Sequence, residues 1–110
     1  MNNLFHQDYE KRWQSFSLSE QMANIGAEVG RTINWRKKGN KKMSTNALYR
    51  GLELLDFTTN DKKNRNSLKE ILRVREALVD FFLGYNIYKS SNLIWEKYFY
   101  FFNAAARKNH

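Results

Sequence analysis

The segment with the clearest chemical character is Arg36-Lys37-Lys38-Gly39-Asn40-Lys41-Lys42, in which five of seven residues are cationic. Lysine supplies a mobile point charge and arginine a fork that matches phosphate oxygens. Gly39 and Asn40 let the backbone turn and present its amides. Burying such a run would press like charges together, so it is expected at the surface. There it is either a phosphate-contacting loop or simply a solvated connection. A second basic run, Lys62-Lys63-Asn64-Arg65, repeats the composition on a smaller scale. Arg36, Lys37, Lys38, Lys41 and Lys42, assisted by Lys62, Lys63 and Arg65, are therefore the candidate polyanion-binding residues. Connected by Arg31, Arg50, Arg73 or Arg75 the two runs would make a stripe along one side; unconnected they are two isolated poles, and both arrangements are open.

The residues that would support covalent, acid–base or metal chemistry are absent or badly spaced. There is no cysteine, and the two histidines, His6 and His110, fall near the chain ends. Glu28, Glu53, Asp56, Glu76 and Asp80 lie inside expected helices, but no histidine follows a glutamate at the Glu-x-x-His spacing of bundle di-metal sites. Arg50 with Glu53 and Arg73 with Glu76 read instead as i,i+3 ion pairs. The toxin-type helical nuclease pattern, Arg followed shortly by His, has only Arg107-Lys108-Asn109-His110 to match it, at the tail. No Ser/His/Asp or Cys/His set and no Gly-rich phosphate loop can be assembled. The chain is expected to be non-catalytic, without metal or cofactor.

The elements that must position these cations are helical. Proline is absent and glycine occurs only five times, which permits long uninterrupted helices. Ser17-Leu18-Ser19-Glu20 fits a capping box, and Leu18, Met22, Ile25, Val29 and Ile33 follow at helical spacing. Ala23, Gly26, Ala27 and Gly30 form a stripe of small residues beside them, suited to close approach of another helix. A second helix, capped by Ser44 or Thr45, buries Ala47, Leu48, Gly51, Leu52 and Leu55. A third, with a capping-box candidate at Ser67–Glu70, carries Leu68, Ile71, Leu72, Val74, Leu78, Val79 and Phe82, with Gly84 as its C-cap. A fourth carries Ile94, Trp95, Tyr98, Phe99 and Phe102. The spacing predicts helices near 18–37, 45–58, 67–84 and 92–107. Short loops favour antiparallel neighbours, so the expected fold is all-α, an up-down-up-down four-helix bundle spanning 17–110, with 1–16 as an N-terminal arm anchored by Trp13 and Phe16.

The last helix is aromatic on every side, with Trp95, Tyr98, Phe99, Tyr100, Phe101 and Phe102 within eight positions. Three roles are open: deep packing in the bundle, a subunit interface, or base stacking. Trp95, Tyr98, Phe99, Phe101 and Phe102 are the candidate interface, and a homo-oligomer or obligate complex is expected.

The formal net charge of +8, from 19 Lys and Arg against 11 Asp and Glu, is large for 13.2 kDa. It favours polyanionic partners: RNA, DNA or an acidic protein surface. No run is long and apolar enough to span a bilayer, and the N-terminus lacks the pattern of a secretory signal, so the expected compartment is the cytoplasm.

The Ser17–Glu20 cap, the small-residue stripe, the Arg36–Lys42 connection and the aromatic last helix together resemble small basic bacterial four-helix-bundle proteins. The accessory variability proteins of diversity-generating retroelements are the described group they are most similar to, over roughly residues 17–108. The resemblance rests on size, charge and helix layout. It implies an oligomeric, ring-like bundle that binds a reverse transcriptase and RNA through its basic surface. The expected function is a non-catalytic nucleic-acid-binding accessory protein, acting on RNA rather than on specific DNA because no recognition helix stands out. The competing expectation is a protein-interaction, adaptor or antitoxin-like module.

Overall fold

The computed structural model describes residues 2–108, with side chains described for 8–108. Within them the chain forms α1 (Asn2–Gln14), α2 (Leu18–Lys37), α3 (Lys41–Thr59), a 3-10 helix (Lys62–Ser67), α4 (Leu68–Leu83) and α5 (Asn92–Lys108). There is no strand among the described residues, and none of the described helices is long and apolar enough to cross a membrane.

Local chemistry explains most of the boundaries. The Ser17 amide donates to Glu20 Oε1 at 2.9 Å and the Glu20 amide donates to Ser17 Oγ at 3.1 Å, so the expected capping box starts α2. At the other end Gly39 takes a φ of +76°, its amide donates to the Arg36 carbonyl, and the Asn40 amide donates to the Trp35 carbonyl. This is a Schellman stop, which satisfies the last carbonyls and favours glycine at the left-handed position. Asn40 then caps α3 by accepting the Met43 amide at 3.1 Å. The second helix therefore begins at Lys41, before the expected Ser44 or Thr45 cap, and Ser44 instead donates its hydroxyl to the Thr32 carbonyl of α2.

Two further expectations change. Ser67 makes no side-chain cap, because the 3-10 helix runs straight into α4 and holds Ser67 at φ −106°, ψ 7° rather than in the extended conformation of an N-cap. The N-terminal arm is helical over Asn2–Gln14. Its sequence is mostly polar, and Trp13, only 4% exposed, anchors it in the core. Phe16 packs edge-on against that indole but stays largely exposed.

The core is built from Met22, Ile25, Val29 and Ile33 of α2, Leu48, Leu52 and Leu55 of α3, Ile71, Val74 and Leu78 of α4, and Trp95 and Phe99 of α5. Helix α2 is the hub: it packs along α3 on one side and α5 on the other, while α4 and α1 lean mainly on α3. Helices α2 and α3 run antiparallel, as the pairings of Thr32 with Ser44 and of Glu28 with Arg50 show. The Lys38–Asn40 turn between them thus closes one end of the molecule.

Candidate polyanion-binding pole

The basic run is a tight corner rather than a loose loop. Arg36 and Lys37 end α2, Lys38, Gly39 and Asn40 make the turn, and Lys41 and Lys42 open α3. All five cations are exposed. Two are held by aromatic faces: the Arg36 guanidinium lies 5.2 Å and 5.4 Å from the Phe81 and Phe82 ring centroids, and the Lys38 ammonium lies 5.1 Å from that of Trp35. Such cation–π contacts fix side-chain direction without neutralising charge. No Asp or Glu occurs between Val29 and Leu52. A cleft of about 350 Å³ opens at this corner, lined by Arg36, Lys41, Ser44, Thr45, Phe82 and Leu83 among others.

The connection from α4 to α5 leaves from the same corner, directly after Leu83. Asp80 organises it. The Asp80 carbonyl accepts the Gly84 and Asn86 amides, and its carboxylate accepts the Ile87 amide at 2.8 Å and the Tyr88 amide at 3.0 Å. Asn86, at φ +56°, closes the turn by exchanging two hydrogen bonds with the Ser90 backbone. This leaves Tyr85 at 95% and Ile87 at 73% exposure. Tyr88 donates its hydroxyl to the Glu76 carboxylate, and that bond raises the phenol above its ordinary pKa. Nothing in the spacing around Asp80 signalled this role, since its partners are backbone amides.

The second basic run is built differently. Lys62 and Arg65 are exposed on the 3-10 helix, but Lys63 is engaged. Its ammonium donates to the Asp61 carboxylate and, at 2.9 Å, to the Gln14 carbonyl at the end of α1. The arginines that would connect the two runs are partly neutralised: Arg31 and Arg50 both reach Glu28, at 3.2 Å and 3.3 Å, and Arg75 reaches Asp56 at 2.8 Å. Arg31 and Arg50 thus share Glu28. The Arg36–Lys42 corner thus gathers five exposed cations, while Arg73, Lys62 and Arg65 are exposed elsewhere.

The five aromatic candidates of α5 divide. Trp95 and Phe99 are 5% and 6% exposed and belong to the core of this chain. Tyr98 and Phe102 are half-buried; the Tyr98 hydroxyl donates to Glu70 at 2.7 Å, and burial, reinforced by that bond, pushes its pKa up. Phe101, 79% exposed, and its neighbour Tyr100 face away from the core. Asn109, His110 and the His6 side chain, and with them the Arg107–His110 spacing, lie outside the described residues. Among the described residues no group of His, Asp and Glu gathers in a way that would hold a metal ion.

No protein-family model matches the chain, and no curated protein or solved structure matches it either.

Proposed function

We propose that this protein is a non-catalytic nucleic-acid-binding accessory protein, with α2–α5 as an up-down-up-down bundle that assembles into a homo-oligomer in the cytoplasm. The observation that carries this reading is the position of Lys41 and Lys42 in the first turn of α3. A helix N-terminus already bears partial positive charge, where a favourable anionic residue contributes about 0.3–1 kcal/mol and a cation works against the helix. Here two lysines occupy that turn, no acidic residue accompanies them, and Arg36, Lys37 and Lys38 face them across a two-residue corner. Lys41 and Lys42 work against the start of α3, whereas Arg36 and Lys37 are favourably placed at the C-terminal end of α2; a phosphate chain lying across the corner would relieve the conflict at α3. RNA is favoured over specific DNA because the cations sit on a corner rather than along a helix face that could enter a groove, and exposed Tyr85 offers a stacking platform nearby. The likeness to accessory variability proteins adds a reverse transcriptase as the protein partner such a surface would serve.

The test is salt dependence. Contact with about five phosphates gives a slope of log K against log salt of roughly −3.5 on single strands and roughly −4.5 on duplex. Replacing Lys37, Lys38, Lys41 and Lys42 together by alanine should flatten that slope and leave helix content intact. A quadruple variant with the parent's RNA affinity and slope would overturn the proposal. One observation favours a second reading, a protein-interaction module: Tyr100 and Phe101 are exposed side by side on α5, close in sequence to exposed Leu93 and Ile94.

A further inference from the structure

The cleft at the basic corner has a composition that simple charge attraction does not require. Its lining combines two cations, Arg36 and Lys41, and Thr45 with the apolar Leu48, Phe82 and Leu83. Ser44 lines it too, with its hydroxyl proton committed to the Thr32 carbonyl, so the oxygen remains able to accept. A purely anionic ligand gains nothing from the apolar residues, and a purely apolar one gains nothing from the cations. The chemistry that satisfies both is an anion joined to a flat, weakly polar body. The Arg36 guanidinium is already set against the faces of Phe81 and Phe82, so little rotamer freedom remains to be lost when it grips an oxyanion. At about 350 Å³ the cleft is at the small end of ligand pockets, which run from about 300 to 1,000 Å³. That size suits one nucleotide unit.

We infer that this cleft is a mononucleotide subsite, binding the phosphate through Arg36 and Lys41 and the base against Phe82 and Leu83. The inference rests on the polyanion reading of the corner and makes it specific: the corner holds one nucleotide in a defined pose, beyond attracting a charged strand. A charge-assisted fork of this kind contributes about tenfold or more in affinity.

The experiment titrates the full chain by NMR with adenosine 5′-monophosphate, adenosine, inorganic phosphate and a single-stranded oligonucleotide with and without a 5′-phosphate. The monophosphate should bind at least about tenfold more tightly than adenosine or phosphate alone. Arg36→Lys keeps the charge and removes the fork, so it should weaken the monophosphate about tenfold while leaving the oligonucleotide salt slope unchanged. Thr45→Trp fills the cleft and should abolish monophosphate binding; because it could disturb the start of α3, the Arg36→Lys result decides if that variant loses helix content. A preference for the 5′-phosphorylated oligonucleotide places a strand end in the cleft, and equal binding places an internal unit there. A monophosphate held no more tightly than phosphate, or held equally by parent and Arg36→Lys protein, overturns the subsite. If the oligonucleotide still binds with a steep salt slope in that case, the corner reading survives alone. Monophosphate binding without oligonucleotide binding sinks the corner reading and leaves the subsite.

Discussion

Asp61, between α3 and the 3-10 helix, belongs to a buried hydrogen-bond network that ties several segments together. Its carboxylate accepts from Gln21 Nε2 at 2.9 Å and from the Lys63 amide at 3.2 Å, and it pairs with the Lys63 ammonium. Around it the Trp13 indole donates to Thr58 at 2.9 Å, Gln21 also donates to the Trp13 carbonyl, and Asn64 donates to Gln21 and to the Thr58 carbonyl. These bonds join α1, α2, α3 and the 3-10 helix through side chains that are almost all buried. Asp61→Ala leaves the buried Gln21 amide short of an acceptor, which costs about 1–3 kcal/mol; urea denaturation should show it as a lowered midpoint. Burial works to raise the Asp61 pKa, but the bonds from Lys63 and Gln21 outweigh it and hold the group below its ordinary value of 3.8. A depressed carboxylate contributes stability that is fully present above 3.8 and is lost as pH falls through the folded value. The stability gap between parent and Asp61→Ala protein should therefore narrow below that pH. A gap that stays constant down to strongly acid conditions would show that the charge of Asp61 contributes nothing.

At the scale of the element, α2 contains two glycines with different consequences. A Cβ added at Gly26 would sit 2.6 Å from the Phe99 Cβ, whereas one added at Gly30 meets nothing within 4 Å. Gly26 is thus a point of tight contact between α5 and α2, and Gly30 only borders the groove between them. Gly30→Ala should stabilise the protein by up to about 1 kcal/mol, the usual helix-propensity gain. Gly26→Ala has the same propensity gain but forces the aromatic helix outward, and overpacking of this kind costs about 1–3 kcal/mol. Thermal unfolding should move in opposite directions for the two variants. A rise in Tm for Gly26→Ala would mean that α5 can shift freely on α2.

For the whole molecule, the notable surface is apolar as well as basic. Leu83, Tyr85, Ile87, Tyr88, Leu93, Ile94, Tyr100 and Phe101 are all exposed, and all belong to the end of α4, the connection or α5. Among the described residues Tyr9, Phe16, Met43, Tyr49 and Leu72 are exposed elsewhere, and the stretch from Leu83 to Phe101 is the one we expect to act as an association surface. Because Trp95 and Phe99 fill the core of this chain, the interface expected from the aromatic helix narrows to Tyr100 and Phe101, with Tyr98 and Phe102 at its margin. Light scattering at micromolar concentration should give a mass above 13.2 kDa, and a Tyr100→Lys, Phe101→Lys double variant should return it to the monomer value. A monomeric parent would set the oligomer aside and leave these side chains for a different protein.

The helices were legible in the chain because their causes are local. The Ser17–Glu20 box, the apolar spacing of α2, α3 and α4 and the absence of proline determine where turns are easy and where they are not. The basic corner was legible for the same reason, since five like charges beside a glycine cannot be buried. Helix α1 was not, because its polar sequence gains its place only when Trp13 finds Thr58 and Gln21 on other helices. Nor could spacing reveal that Lys63 would be tied to Asp61 and Gln14 while Lys41 and Lys42 stayed exposed. The sequence by itself determined the helical class, the +8 charge and the basic corner. Only the tertiary structure decided which aromatics of α5 are core, which glycine is a contact, and that Arg36 meets Phe82 beside a cleft. Those outcomes depend on contacts between residues far apart in the chain, and such pairings leave no periodic trace along it.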